Sequence, residues 1–395
     1  MRILITTAEL GYRGTPRVVG LYARMLAKSH EVAIWGWREG GIRAEDLKQL
    51  GFTVFVGEAD EDNAIAFKPD VLNIHRPGLP HSREGEIMAK FKAQGARIIE
   101  TNVFGRVDLG SVEIIDYTIN ISKWNYCQWR SWLGKVKLRG GYVPNPVDVD
   151  AFKRCDANQI ERFRRSIRIP DGAFLVGRIG NTSWDMLSKP LQDAMDKVQR
   201  LYFVNVRDHI GANIPKSISE HERVRELPKI GNDGALCEFY SACDLCVSMS
   251  SIGESFGLTI AESMCCGTPV VTVSTPFHCN AQVEVVTHGE GGLVLSSPNG
   301  FPDAVSRLVA HPDELSRYRQ RCRGIIEKRY SMQAIEGVLR RIFEECADAP
   351  CDGNAIDDAI RQKEGKFPWW YAGAMKLLYT PMTYQLLLQM KRRRK

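Results

Sequence analysis

Glu254 and Glu262 bracket the stretch Glu254-Ser255-Phe256-Gly257-Leu258-Thr259-Ile260-Ala261-Glu262, which follows an apolar run at 244–249 and precedes Gly267 and another apolar run at 269–273. That order reads as strand, loop, helix, glycine stop and strand. Ligands of open α/β sheets bind beyond the carboxyl ends of the strands, where helix N-termini offer free N–H groups to phosphate. Glu254 falls in the loop, and Glu262 about one and a half turns into the helix, roughly 7 Å further along its axis. Two carboxylates so separated can reach two hydroxyl-bearing ends of one ligand whose diphosphate sits between them. The alternative is a first-turn acid favoured by the helix dipole at 254 and a solvated helix face at 262.

Cysteine is the other residue type with chemical potential. Of eleven, Cys237, Cys243, Cys246, Cys265, Cys266 and Cys279 lie close in sequence. Cys243 and Cys246 have the spacing of a zinc knuckle, but they sit in an apolar run with no matching second pair, so buried free thiols are expected. An odd count without an export signal fits a reducing cytoplasm. The chain has no G-x-x-x-x-G-K-[ST] and no G-x-G-x-x-G after its first strand, which argues against a P-loop NTPase and a standard dehydrogenase.

The elements that must carry these residues alternate. Apolar runs of strand length occur at 2–7, 31–35, 53–56, 71–74, 97–99 and 117–121. After the first, Gly11 to Arg17 reads as loop, and Val18, Leu21, Tyr22, Met25 and Leu26 form one face of an amphipathic helix. The segment Val143-Pro144-Asn145-Pro146-Val147-Asp148 breaks the pattern and marks a junction. A second series follows at 174–177, 201–206, 245–249, 270–273 and 293–295. Strands alternating with helices predict parallel sheets covered on both faces, and 395 residues predict two domains. The expected division is an N-terminal domain over 1–150, a C-terminal nucleotide-sugar-binding domain over 151–345 and a terminal segment over 346–395.

The second half resembles the retaining GT-B glycosyltransferases, especially family 4, with its E-x7-E signature. Residues 236–244 resemble the lead-in to that signature. Glu254-Ser255-Phe256-Gly257 resembles its E-G-F-G, and residues 262–271 its E-A-M-A-C-G-T-P-V-V. The junction from Val143 to Phe152 resembles the family's interdomain I-P-N-G-V-D…F. The resemblance implies an α/β GT-B architecture of two Rossmann-like domains whose parallel sheets face across a cleft. It implies that Glu262 holds the ribose hydroxyls and Glu254 those of the donor sugar, with the N–H groups of Phe256, Gly257 and Leu258 on sugar and phosphate. Arg178, in Val176-Gly177-Arg178-Ile179-Gly180, and Lys189 correspond to the basic pair that neutralises the diphosphate, although Lys189 comes later than usual because 181–187 is inserted. In the first domain, Gly14 corresponds to the loop glycine that approaches the donor phosphate, and His75 to a position that is often His. A simple turn glycine and a helix-entry residue are the structural alternatives. Asn102 stands where the family carries a His near the reacting carbon; it can hydrogen-bond a hydroxyl but cannot take a proton.

Transfer of this type asks the protein mainly for positioning and for stabilisation of the leaving phosphate. Arg178, Lys189 and the 256–258 amides can supply these without a metal or cofactor, so none is expected, and the resemblance implies a UDP- or GDP-linked donor and a glycan or lipid-linked acceptor. Asp148-Val149-Asp150 is a D-x-D, but its place in the junction reads as turn chemistry. The alternative function is a non-catalytic nucleotide-sugar-binding or scaffold subunit.

The formal net charge is +6, and residues 361–395 hold nine basic residues and one acid, so the other 360 sum to −2. The body is not a nucleic-acid-coating surface. The aromatic, leucine-rich and terminally basic stretch 365–395 suits either docking on an anionic membrane surface or a solvated tail packed on the first domain. A cytoplasmic protein, peripheral at the inner face of a membrane if the tail docks, is the expected localisation.

Overall fold

A computed structural model describes residues 1–133, 138–180, 183–206 and 214–348. The first sheet contains β1 (Arg2–Glu9), β2 (Glu31–Glu39), β3 (Thr53–Val56), β4 (Val71–Arg76), β5 (Arg97–Asn102), β6 (Tyr117–Asn120) and β7 (Gly140–Tyr142). The second contains β8 (Phe174–Ile179), β9 (Leu201–Val206), β10 (Val224–Leu227), β11 (Leu245–Ser248), β12 (Val270–Val273) and β13 (Gly292–Leu295). Their orders are β3-β2-β1-β4-β5-β6-β7 and β10-β9-β8-β11-β12-β13, and neighbouring strands run parallel.

Both sheets are therefore doubly wound, as the alternating runs predict. Each has a point where successive strands leave in opposite directions: between β1 and β4, and between β8 and β11. Crevices for ligands open at the carboxyl ends of such strand pairs. Strands buried on both faces explain the continuous apolar runs: residues 3–7 of β1 and all of β4 are buried. The helix Gly14–Leu26 buries Val18, Leu21, Tyr22, Met25 and Leu26, the face its spacing defines. Leu4, Trp35, Leu72, Phe91 and Trp129 belong to one core; Val176, Leu191, Phe203, Val247 and Phe301 belong to another.

The compact units run over Met1–Pro146 with Ile335 onward, and over Val147–Ala334. The last described helix, Met332–Asp348, thus passes to the first unit at Ile335, whereas the sequence places residues up to 345 with the second domain. The basic segment 365–395 lies outside the described residues. No helix among the described residues is long and apolar enough to cross a membrane.

Candidate active site

In the second unit, the carboxyl ends of β8 and β11 bring the singled-out residues into one neighbourhood. Arg178 is the penultimate residue of β8 and only 4% exposed. Its register partner on β9 is Asn205, whose Oδ1 accepts a hydrogen bond from Arg178 Nη1 at 3.1 Å. The Trp184 ring lies 4.1 Å from the guanidinium carbon. Burial pushes the Arg178 pKa down to about 10, and the Glu254 charge offsets only part of that shift. The group stays charged at neutral pH in a desolvated setting, where its field is strong.

Glu254 is held from three sides. Its backbone N–H donates to Gln282 Oε1 at 3.0 Å, its carbonyl accepts from the Ala281 N–H at 3.0 Å, and Ser248 Oγ donates to its carboxylate at 3.1 Å. Burial raises the Glu254 pKa, with Ser248 and Arg178 acting against it. The loop before it turns at Gly253, where φ is +61° and a Cβ would collide with the Cys279 carbonyl oxygen. The loop enters the helix Leu258–Cys265 through Gly257, which is left-handed with φ +94° and supplies no side-chain cap. With no acid in the first turn, the positive end of the helix is left to an incoming anion.

Glu262 is 4% exposed, so the alternative of a solvated helix face does not hold. Its Oε2 accepts from the Tyr240 hydroxyl at 3.0 Å, and Tyr240 is in turn tied through its carbonyl to Thr268 Oγ1 at 2.7 Å. A small pocket lined by Ile179, Tyr240, Ser248, Thr259 and Ile260 opens beside these groups. Phe256 is buried and packs edge-on against Tyr330, centroids 5.3 Å apart; Leu258 is half-buried. Lys189 is exposed on the helix Ser188–Lys197, with its ammonium 2.6 Å from Asp193.

The first unit uses its singled-out residues differently. Gly14 is the first residue of the helix Gly14–Leu26. His75 lies inside β4, 3% exposed, with Nε2 3.0 Å from Asn73 Oδ1 and its ring edge-on to Tyr22. It is thus a core strand residue rather than a helix entry, and burial pushes its pKa down to about 3. Asn102, fully buried at the end of β5, donates to Glu100 at 3.2 Å and to the Arg106 carbonyl at 2.6 Å. Its Oδ1 accepts from the N–H groups of Phe104 and Arg106, both at 3.3 Å. The amide thereby folds its own loop.

Tyr240, Ser248, Asn205, Trp184 and Gln282 contact these residues, and the sequence does not single them out. A usable signal exists for two: Asn205 and Ser248 are polar residues at the carboxyl ends of otherwise apolar strands. Asp148, of the D-x-D, accepts from the N–H groups of Asp150 and Ala151 at 3.1 and 3.0 Å, a turn. Cys243 and Cys246 are buried free thiols, and among the described residues no three His, Cys, Asp or Glu side chains gather as a metal set.

These features define the class as an α/β protein of GT-B architecture. Residues 173–311, within the second unit, match the family model of glycosyl transferases group 1. The chain is 28% identical over 225 residues to the D-inositol 3-phosphate glycosyltransferase of Corynebacterium jeikeium, a match covering 52% of each chain, so it spans about half that relative's length. It is 24% identical over 291 residues to the phosphatidyl-myo-inositol mannosyltransferase of Mycobacterium leprae, covering 70% of this chain and 74% of the relative. In fold it is similar to Anabaena Alr3699/HepE, solved in complex with UDP-glucose, with a TM-score of 0.71 and 16% identity over 87% of this chain and 99% of that one.

Proposed function

We propose that the chain moves a sugar from a UDP- or GDP-linked donor to a glycan or lipid-linked acceptor, with retention at the anomeric carbon and without a metal. The observation that carries this reading is the conjunction at one switch point of a desolvated arginine, an uncapped helix N-terminus and two supported glutamates. Glu262, held by Tyr240, takes the ribose hydroxyls, and Glu254, held by Ser248, takes the donor sugar. Arg178 and the amides at 256–258 take the diphosphate; Lys189 joins them only by leaving Asp193.

In this mechanism the departing diphosphate accepts the acceptor's proton on the face where the new bond forms. The protein stabilises the growing negative charge, which favours fixed donors over mobile ones. Asn102 cannot act as a base and is already engaged on all sides, which is the observation favouring the second reading, a nucleotide-sugar-binding subunit without turnover.

The test is a thermal-shift panel of UDP-, GDP-, ADP- and dTDP-sugars without added metal, on the wild type and on Glu262→Ala. The expected result is a shift selective for one nucleotide and removed by the substitution. No shift with any donor overturns the reading, and a shift that needs Mn²⁺ overturns its metal-free part. Donor binding without transfer to a verified acceptor favours the second reading, whereas transfer abolished by Glu254→Ala sinks it.

A further inference from the structure

Trp184 belongs to the inserted stretch that separates Arg178 from Lys189, and among the described residues of that stretch it has a definite seat. The indole is 5% exposed. One contact of the ring is the Arg178 guanidinium at 4.1 Å, and another is the ring of Phe203, edge-on at 6.0 Å. The Trp184 carbonyl accepts the Ser188 N–H at 3.0 Å and the Ser188 hydroxyl at 2.8 Å, which ties it to the start of the next helix. Its neighbour Asp185 accepts from Ser183 Oγ and, at a long 3.5 Å, from the Ser251 N–H in the loop that leads to Glu254.

Asn205 closes the arrangement, because it is paired with Arg178 in strand register and binds Nη1. A guanidinium with one edge on an amide and one face on an indole loses its rotational choices before any ligand arrives. A planar fork held in this way spends less binding energy on ordering itself around phosphate oxygens. Stacking on an aromatic face also steadies the cation in a desolvated site.

We propose that Trp184 and Asn205 are positioning residues that hold Arg178 for the diphosphate of the donor. This deepens the reading of the site given above and depends on it for the identity of the ligand. On this reading the clamp acts on the diphosphate, and the nucleoside half of the donor belongs to Glu262.

Calorimetric titrations of UDP and uridine, repeated with GDP and guanosine, separate the two halves. Trp184→Leu is expected to weaken the nucleoside diphosphate about tenfold, from loss of a buried cation–π contact, while changing the nucleoside less than twofold. Trp184→Phe keeps an aromatic face and should recover most of the loss. Equal losses for diphosphate and nucleoside, no loss at all, or failure of Trp184→Phe to recover binding would each overturn the proposal. Melting temperatures of Trp184→Leu, Arg178→Met and the double variant supply a readout that needs no ligand. A double variant that loses less than the two single losses combined supports the clamp, and strictly additive losses overturn it. A wild type that binds none of the four compounds overturns the donor reading and the ligand assigned to the clamp, while the melting cycle still decides whether Trp184 holds Arg178.

Discussion

Arg76 and Arg178 are both buried arginines at the carboxyl ends of strands that flank a switch point, one in each unit. Their surroundings differ. Arg76 is 1% exposed and sits among three carboxylates: Glu84 at 2.8 Å from Nε, Glu100 at 3.3 Å from Nη1 and Asp108 at 2.8 Å from Nη2, with the Leu79 carbonyl also on Nη2. Burial drives its pKa down, but Glu100, Asp108 and Glu84 more than reverse this, and the net shift is upward. Burial wins at Arg178, where Glu254 compensates only in part. A buried cation that its own fold over-compensates is a structural hub; one that burial still disfavours gains most when an external anion arrives.

The largest effect should come from breaking the hub. Arg76→Met leaves three acids facing one another in the first unit, and removing one partner of a buried ionic group typically costs about 3–5 kcal/mol. Urea unfolding is expected to show a loss of that order. A loss below about 1 kcal/mol would mean that the network behaves like a surface ion pair. Arg178→Met should reverse the pattern. It removes a buried charge that burial disfavours, at the cost of its contacts with Asn205 and Trp184, so the stability loss should be smaller than that of Arg76→Met, while transfer falls by about 10²–10³-fold, as when one preorganised charge-stabilising donor is deleted. Steady-state rates beside a melting curve decide it; a stability loss like that of Arg76→Met would make both arginines structural.

How far these two sites were legible in the sequence follows the same division. Glu254, Glu262 and Arg178 stand out because their motifs carry backbone demands, such as the left-handed Gly257 and the helix that follows it. The strands expected from apolar runs are all present. β7 and β10 are missed because one is only Gly-Gly-Tyr and the other, Val-Arg-Glu-Leu, has two charged residues between its apolar ends. The Arg76 hub is illegible because its acids come from 84, 100 and 108, which only the sheet order brings together. Asn102 and His75 illustrate the limit of position-matching. Each lies at the strand where the resemblance puts a functional residue, yet Asn102 spends its amide on its own loop and His75 is a neutral core side chain.

Acid–base titration sharpens the contrast with a smaller effect, no more than about 1.4 kcal/mol per pH unit for one group. Glu100 faces Arg76, Asn102, Thr118 and Asp108, and burial, the dominant cause, raises its pKa from 4.5 to about 7. Between those values the folded state binds a proton that the unfolded state has lost, so this contribution is complete below pH 4.5 and fades as pH rises to 7. His75 has the opposite sign, since its folded pKa near 3 lies below the ordinary 6.5. Its contribution is complete above 6.5 and is lost as pH falls; His30, shifted downward mainly by burial, adds to the same limb. The two slopes oppose each other between pH 4.5 and 6.5. Glu100→Gln should therefore steepen the loss of stability on acidification and abolish any decline between 6.5 and 7. A pH profile of stability unchanged by Glu100→Gln would remove Glu100 from the titration.

Lys189 is the third cation of the comparison and should show the smallest effect. Its ammonium lies 2.6 Å from Asp193, one helical turn away on an exposed face, and that partner raises its pKa. An exposed pair of this kind adds little to stability, because solvent screens it and two long side chains must be ordered to form it. Lys189→Ala should therefore leave the melting temperature nearly unchanged. For the donor, the choice lies between a lysine committed to Asp193 and one that leaves it for the diphosphate. Asp193→Ala tests the exchange directly. If Asp193 holds the ammonium away, its removal frees Lys189 and tightens nucleoside diphosphate binding, and the gain disappears in the Lys189→Ala, Asp193→Ala double variant. If Lys189 already serves the diphosphate, Lys189→Ala alone weakens binding toward the level of Arg178→Met. The geometry favours the first outcome, with Lys189→Ala within about twofold of wild type, because the ammonium is engaged by Asp193 on a solvent-screened face.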